Sequence, residues 1–228
     1  MNICVIPARG GSKRIPRKNI RDFCGKPMIT YAIDLAKRSQ LFEHIVVSTD
    51  DDEISELAQK NGASVPFDRP SLLSDDSTPT LPVIKHAICE MEQRGIAFKN
   101  VCCLYPSVPL ISVERIMEAS HMSAQNPDVF VMPIIAFSSP IERAFTVEQS
   151  GRVSPINNQN IISRTQDCKK TYYDAGQFYW GSATLWKNGD ANIHANSIGL
   201  EISAWEAVDI DNEDDWQMAE KLYKTRLV

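Results

Sequence analysis

Short apolar runs alternate with amphipathic stretches along most of the chain. Apolar runs of about four to eight residues are typical of buried strands, whereas apolar residues spaced three and four apart are typical of helices. The apolar runs predict strands at residues 3–6, 44–49, 63–66, 101–105 and 128–135. The helical spacing predicts helices at residues 27–39, 50–61, 81–94 and 111–124. This alternation predicts a Rossmann-like α/β fold, in which a mostly parallel twisted sheet carries helices on both faces.

Residues 137–171 interrupt the alternation. The segment is richer in Ser, Asn, Gln and Pro, apolar and polar residues alternate around residues 141–147, and Ser150 and Gly151 indicate a turn. We interpret it as a small strand-rich insertion within a single domain that spans residues 1–228.

Composition and charge narrow the range of functions. The 228 residues suffice for a substantial core, and a hydrophobic share of 43% with a charged share of 23% is ordinary for a globular protein. The net charge of −5 argues against nucleic acid as a partner, because proteins bind it by neutralising phosphates with Lys and Arg. No apolar stretch is long enough for a membrane span, so we expect no membrane partner.

The six cysteines and four histidines give no sign of a zinc site, since no C-x-x-C occurs and the histidines are scattered. Several cysteines lie in apolar runs, where a free thiol behaves as a small hydrophobic group. The first strand leaves no room for a signal peptide, so we expect a cytoplasmic protein with reduced thiols.

The first predicted strand leads into a loop rich in glycine and cations. Glycine lets backbone N–H groups approach a ligand closely, and Arg and Lys supply countercharge for phosphate. A solvated basic loop is the alternative, but nucleotide-binding α/β folds hold phosphate at this position, between a first strand and a helix. The spacing matches neither G-x-x-x-x-G-K-[S/T] nor G-x-G-x-x-G, so neither a P-loop nor a dinucleotide cofactor is indicated. The loop contains Arg9, Gly10, Gly11, Lys13, Arg14, Arg17 and Lys18.

Two aspartates near the carboxyl end, Asp209 and Asp211, form a second candidate cluster. If residues 208–211 end a strand, side chains two apart share a face, so both carboxylates point the same way. Mg²⁺ prefers such oxygen ligands and keeps waters and substrate phosphates as its other ligands. The alternative makes Asp211 a helix N-cap and Asp209 a surface residue. Combined with the phosphate loop, the pair predicts a Mg²⁺ site.

The opening loop, with Gly25-Lys26-Pro27 after it, resembles the opening signature of the CMP-sugar synthetases, the cytidylyltransferases of nonulosonic and related acids. The turn at residues 106–110 resembles the family's L-x-P-T-x-P-L turn beside the sugar. The resemblance implies a fold of the nucleotide-diphospho-sugar transferase type with CTP as a substrate. The nucleotide site that it implies comprises Ala8, Arg9, Gly10, Gly11, Ser12, Lys13, Asn19, Arg69, Ser77 and Thr78.

A second loop carries part of this resemblance. Arg69-Pro70, followed by the polar loop at residues 74–80, is similar to the segment that lines the cytosine pocket in the family. Helix capping by Ser, Thr or Asp is the alternative function of such a loop. The loop differs from the sialic acid members of the family at Asp75, Asp76 and Pro79.

Other departures bear on the sugar. Tyr105 stands where sialic acid synthetases often have Gln, and Arg164 could pair with a carboxylate. The run D-A-G-Q-F-Y-W-G at residues 174–181 is similar to the pseudaminic acid branch of the family, although an aromatic core strand is the alternative. The sugar site that the resemblance implies comprises Tyr105, Arg164, Gln177 and Tyr179.

The resemblance implies transfer of CMP from CTP to the anomeric hydroxyl of a nine-carbon sugar acid, with release of pyrophosphate and with Mg²⁺ as cofactor. The implied catalytic residues are Arg9, Lys18, Asp209 and Asp211, of which Asp209 and Asp211 hold the metal. The resemblance also implies that residues 137–171 form a dimerisation arm, so a homodimer is expected. The alternatives are another acid (N-acetylneuraminate, legionaminate or Kdo), a glycosyltransferase of similar fold, or a nucleotide-binding module without turnover. The sequence does not indicate which group acts as the general base that deprotonates the sugar hydroxyl.

Overall fold

The structure, a computed structural model, describes residues 1–156, 164–188 and 192–226. Within these residues the strands are β1 (Asn2–Pro7), β2 (Asp22–Phe23), β3 (Lys26–Pro27), β4 (His44–Ser48), β5 (Asn100–Leu104), β6 (Phe130–Ala136), β7 (Phe145–Val147), β8 (Val153–Pro155), β9 (Tyr172–Asp174), β10 (Phe178–Ser182) and β11 (Ser197–Glu201). The helices are α1 (Met28–Ser39), α2 (Asp52–Lys60), α3 (Thr80–Gln93), α4 (Val113–Gln125), α5 (Ala183–Lys187) and α6 (Glu213–Thr225).

The main sheet has seven strands, in the order β11–β6–β10–β5–β1–β4, with β9 also paired to β6. β1 runs parallel to β4 and β5, and β11 runs parallel to β6. β10 is antiparallel to both of its neighbours, and β9 is antiparallel to β6. The predicted α/β fold with a mostly parallel sheet is therefore confirmed.

Alternate residues of β1 enter different cores, as the pleat of a strand requires. Cys4 and Ile6 belong to a buried cluster with residues of α1, α2 and α4. Ile3 and Val5 belong to a second cluster with residues of α3 and α5. Helices therefore cover both faces of the sheet, as predicted, and the apolar run of β1 is buried on both sides.

A third buried cluster joins the two ends of the chain. Phe23 lies edge-to-face on Trp216 of α6, with the ring centroids 5.4 Å apart. Ile15 of the basic loop and Ile210 of the carboxyl-terminal segment are fully buried in the same cluster. Ile210 stands between Asp209 and Asp211, so burying its side chain fixes the segment that carries both carboxylates beside the basic loop.

The predicted strand at residues 63–66 is wrong, and the condition that residues 208–211 end a strand is not met. Residues 63–66 form only a single bridge, between Val46 and Ser64, and Pro66 has no N–H with which to extend the pairing. Residues 208–211 are not a strand, because side chains rather than a neighbouring strand bind their carbonyls. The carbonyl of Ile210 accepts from Lys18 Nζ at 2.7 Å, and that of Val208 accepts from a Gln177 amide N–H at 3.2 Å.

The described part of the predicted insertion contains the antiparallel hairpin of β7 and β8. Gly151 turns the chain with φ of +80°, a conformation that glycine adopts without steric cost. Residues 157–163 of the insertion lie outside the described residues. The six cysteines all lie within the described part of the chain and are free. None of the helices in these ranges is both long and apolar enough to cross a bilayer.

Candidate active site

A cavity of about 450 Å³ opens where β1 and β5 end, and it gathers residues from both ends of the chain. Its walls come from the basic loop, the loop after Arg69, the first turns of α3 and the turn after β5. Arg9 and Asp211, from opposite ends of the sequence, share this cavity. The predicted site residues that line it are Arg9, Gly11, Ser12, Lys13, Lys18, Asn19, Arg69, Thr78, Tyr105 and Asp211.

Other predicted site residues lie outside this lining, namely Ala8, Gly10, Ser77, Arg164, Gln177, Tyr179 and Asp209. Ala8 is buried and its N–H donates to the Ser48 carbonyl at 2.9 Å. The N–H of Gly10 donates to Asp50 Oδ1 at 3.0 Å, and a Cβ at Gly10 would stand only 2.5 Å from Asp51 Oδ2. Gly10 therefore shapes the loop by allowing this close approach, and its N–H is already bonded.

An acidic residue of the second loop binds the cations of the first. Arg9 Nη1 lies 2.8 Å from Asp76 Oδ1, and Lys13 Nζ lies 2.5 Å from Asp76 Oδ2. Arg9 also donates to the carbonyl of Asp75 at 2.5 Å. The hydrogen bond from Lys13 is the main cause that lowers the pKa of Asp76. The cavity therefore holds its cations in place with a carboxylate of its own.

Lys18 stands between the loop and the two aspartates. Burial lowers the pKa of Lys18, and the negative charges of Asp211 and Asp209 partly oppose that shift. Burial also raises the pKa of Asp209 to about 6, with the neighbouring charge of Asp211 as the next cause. The side chain of Asp209 is exposed at the surface, although neighbouring protein atoms surround part of it. Arg14 Nη2 lies 2.9 Å from Asp211 Oδ1.

The two carboxylates fit one kind of metal site. Among the described residues, no set of three or more His, Cys, Asp or Glu side chains is arranged to hold a metal ion. Mg²⁺ needs only one or two protein carboxylates when waters and substrate phosphates complete its ligands. Asp209 and Asp211 therefore suit Mg²⁺ and do not form a closed protein cage. Asp211 is not the helix cap, because the capping box of α6 uses Asn212 and Asp215.

Arg69 and Thr78 also line the cavity. Arg69 is buried and donates from Nε to Ser48 Oγ at 3.1 Å and from Nη2 to the Ser48 carbonyl. Burial lowers the pKa of Arg69 to about 10. The hydroxyls of Ser77 and Thr78 both donate to Asp75 Oδ1, at 3.0 and 2.7 Å. These bonds close a turn within the loop and do not cap α3, whose N-cap is Pro79 with no side-chain cap bond, and Thr78 also reaches the cavity.

Asn19 presents an unused acceptor. Its Nδ2 donates to the Arg9 carbonyl at 2.9 Å, which ties Asn19 to the loop that it follows. Its Oδ1 is buried and has no hydrogen-bond partner in the described parts of the chain. A buried carbonyl oxygen without a partner is costly, so a donor on a bound ligand would be favoured at this position.

The residues predicted for the sugar are spread over two layers. Tyr105 lines the cavity, and its hydroxyl lies 2.5 Å from Thr80 Oγ1. Tyr179 packs edge-to-face on Tyr105, with ring centroids 5.8 Å apart, and donates to Asp174 Oδ2 at 2.5 Å. Gln177 is only 1% exposed. Arg164 is exposed and, among the described residues, is not one that lines the cavity.

Sequence reasoning missed several residues that the fold brings here. Asp76 and Thr80 line the cavity, and Asp174 binds Tyr179. Arg14, a cation of the basic loop that the sequence did not assign to the site, lines the cavity too. The adjacent carboxylates Asp75 and Asp76 were a usable signal. If the second loop lies beside the basic loop, as the resemblance implies, these carboxylates are expected to pair with its cations. Nothing in the local spacing indicates the contacts of Thr80.

Known proteins with similar sequences include cytidylyltransferases and CMP-sugar synthases. The chain is 40% identical to the pseudaminic acid cytidylyltransferase of Campylobacter jejuni subsp. jejuni over 223 residues, which cover 98% of this chain and 96% of that relative. It is 32% identical to the CMP-N,N'-diacetyllegionaminic acid synthase of Legionella pneumophila, with coverage of 96% and 95%.

A solved structure agrees with the fold. The CMP:2-keto-3-deoxy-manno-octonic acid synthetase complexed with CTP matches with a TM-score of 0.73 at 18% identity and covers 99% of each chain. The family model described as cytidylyltransferase matches residues 3–226, almost the whole sequence. The chain therefore belongs to the cytidylyltransferase family.

Proposed function

We propose that this enzyme transfers CMP from CTP to the anomeric hydroxyl of pseudaminic acid and releases pyrophosphate, to give CMP-pseudaminic acid. The observation that carries the proposal is that Arg9 and Asp211 line one cavity together with Lys13 and Lys18. The choice of acid rests on the name of the Campylobacter relative at 40% identity, against 32% for the legionaminic acid relative.

In this reaction the sugar hydroxyl attacks the α-phosphorus, a new P–O bond forms, and the bond to the β-phosphate breaks. Such transfers depend on positioning and on charge neutralisation rather than on covalent work by the protein. Arg9, Lys13 and Lys18 supply fixed positive charge along the cavity, where it opposes the charge that develops on the leaving pyrophosphate. Asp76 competes with the phosphates for Arg9 and Lys13, so nucleotide binding exchanges one anion for another.

We propose Mg²⁺ as the cofactor, with Asp209 and Asp211 as its protein ligands. When bound there, it would add positive charge at the triphosphate. The repulsion between the two carboxylates, which contributes to the raised pKa of Asp209, favours a cation at this position.

We assign the nucleoside to the part of the cavity lined by Asn19, Arg69 and Thr78. Asn19 Oδ1 is a buried acceptor that a ribose hydroxyl or the cytosine amino group could satisfy. Arg69 and Thr78 reach the same cavity and complete this side. Of the four predicted sugar residues, all of which the structure describes, Tyr105 is the one that lines the cavity, and Tyr179, Gln177 and Arg164 remain predicted sugar residues.

Pyrophosphate release across a panel of sugar acids tests the proposal. The panel contains pseudaminic, N,N'-diacetyllegionaminic and N-acetylneuraminic acids and Kdo, each with CTP and Mg²⁺, and each component is omitted in turn. We expect release only in the complete mixture and fastest with pseudaminic acid. Faster turnover of another acid would reassign the substrate. CTP binding with no release on any acid would overturn the proposed activity.

We also propose a cytoplasmic homodimer in which the hairpin of β7 and β8 is the dimerisation arm. Three apolar side chains of this hairpin, Phe145, Val147 and Val153, are 55%, 69% and 62% exposed. Clustered exposed apolar residues of this kind mark interaction sites. The partner chain suggested by the arm is a second copy of this protein.

The arm makes a testable prediction. We expect Val147→Ser combined with Val153→Ser to convert the dimer to a monomer at micromolar concentration, because both changes remove apolar surface from the proposed interface. Sedimentation velocity measures the change. Leu72→Ser removes an apolar side chain that is 86% exposed and lies outside the hairpin, so it should leave the dimer intact. If the unaltered protein is itself a monomer, the proposal that the hairpin is a dimerisation arm is wrong.

A further inference from the structure

The turn at residues 174–177 is built around one carboxylate. Asp174 Oδ1 accepts from the Gly176 N–H at 2.9 Å, and its Oδ2 accepts from the Tyr179 hydroxyl at 2.5 Å. His194 Nε2 lies 3.0 Å from the same Oδ2. Asp174 is thus bound from three elements of the structure, and a carboxylate held this way fixes the backbone that it caps.

Gly176 of this turn touches Asp209 directly. Gly176 has φ of +63°, and a Cβ built on it would lie 3.0 Å from Asp209 Cγ and 3.1 Å from Oδ2. Such distances are tighter than most real Cβ contacts, so a side chain at this position would shift the carboxyl group by a few tenths of an ångström and would also strain the backbone. The absence of a side chain at Gly176 therefore defines where the Asp209 carboxylate can lie.

Gln177 holds the backbone of the same segment. Its Nε2 donates to the Ala175 carbonyl at 2.7 Å and to the Val208 carbonyl, next to Asp209, at 3.2 Å. Its Oε1 is buried without a partner among the residues that the structure describes, so the donated bonds alone orient the amide. Gln177 therefore replaces the strand pairing that residues 208–211 lack.

We propose that the turn at residues 174–177 is the positioning element for the Asp209 carboxylate, with Gly176 as its steric stop and Gln177 as its tether. Asp209 lies in an irregular segment, and a metal ligand needs a fixed orientation that such a segment does not supply by itself. Partners that orient a metal ligand from behind typically contribute about 10- to 100-fold in metal affinity. The inference rests on the proposed function only in assigning Asp209 to the metal.

Mn²⁺ binding tests the role of the turn without turnover. Mn²⁺ alone is titrated into nucleotide-free protein and the free ion is counted by electron paramagnetic resonance. We expect Gly176→Ala and Gln177→Met each to weaken binding about 10-fold or more. Gly95→Ala is the matched control, since Gly95 has φ of +77° but open space around it, and it should bind Mn²⁺ within twofold of the unaltered protein.

Two further measurements separate the possible failures. In Gly176→Ala, a displaced ligand should raise the KM for Mg²⁺ while kcat recovers at saturating Mg²⁺, a split that general destabilisation would not give. Asp209→Asn is titrated in parallel. If Asp209→Asn weakens Mn²⁺ binding but Gln177→Met and Gly176→Ala do not, the positioning role is overturned and the metal assignment stands. If Asp209→Asn has no effect on binding, the metal assignment fails and the positioning role falls with it.

Discussion

Asp209→Asn is expected to lower kcat/KM for CTP by about 10²–10³, the usual scale for loss of one electrostatic group from a transition state. The amide has nearly the shape of the carboxylate, so its packing against Gly176 is kept while a charge and an anionic oxygen are lost. Pyrophosphate release, measured over a wide range of Mg²⁺ concentrations, gives the size of the effect.

The same variant should not be less stable. The pKa of Asp209 is raised in the fold to about 6, so the ionised form costs stability at pH values above that range, and a neutral amide avoids this cost. We therefore expect an unchanged or higher melting temperature together with the loss of activity. A site kept at the expense of stability is the usual pattern for functional groups.

Asp214→Asn supplies the control for this variant. Asp214 is exposed in the first turn of α6 and does not line the cavity. Its negative charge interacts favourably with the helix dipole there. The control should therefore keep its turnover and lose at most a little stability. Equal, small losses in the two variants at saturating Mg²⁺ would contradict the role of Asp209.

The spacing of apolar residues predicted those strands and helices whose own sequence shows which residues are buried. The residues of β1, α1, β4 and α2 repeat at the spacings of strands and helices, so their ends were predicted within two residues. The position of β10 could not be read in this way. It lies antiparallel between β5 and β6, and local spacing does not say which strands become neighbours. Pairing between distant segments is decided by the whole core.

The site was predictable in its parts and not in its assembly. The cations near Arg9 and the pair at Asp209 and Asp211 could be recognised as chemistry, and resemblance to a family joined them. The physical cause of their meeting is the buried cluster that contains Ile15 and Ile210, which no local pattern reveals. Residues 208–211 do not form the strand end that would place both carboxylates on one face, because side chains bind the carbonyls there.

Arg9→Ala should remove activity on a similar scale, about 10²–10³ in kcat/KM for CTP, because it deletes a fixed cation of the cavity. The fold should survive, since the partners of Arg9 are Asp76 and the Asp75 carbonyl in an exposed loop, and such exposed pairs contribute little to stability. Far-ultraviolet circular dichroism and the melting temperature check the fold, and initial rates of pyrophosphate release check the chemistry.

Two companion variants decide what Arg9 contributes. Arg9→Lys keeps the charge but loses the planar fork that binds two phosphate oxygens at once, so partial recovery would assign charge, and no recovery would assign bidentate geometry. Arg17→Ala removes a cation from the same loop, but Arg17 pairs with Asp51 and Glu53 at the start of α2 and does not line the cavity. A loss no larger than a few-fold there, beside a large loss for Arg9→Ala, would tie the effect to the cavity rather than to the charge of the loop. Near-normal rates in Arg9→Ala at saturating CTP and Mg²⁺ would remove Arg9 from the catalytic site and leave Lys13, Lys18 and Arg69 as the predicted cations of the cavity.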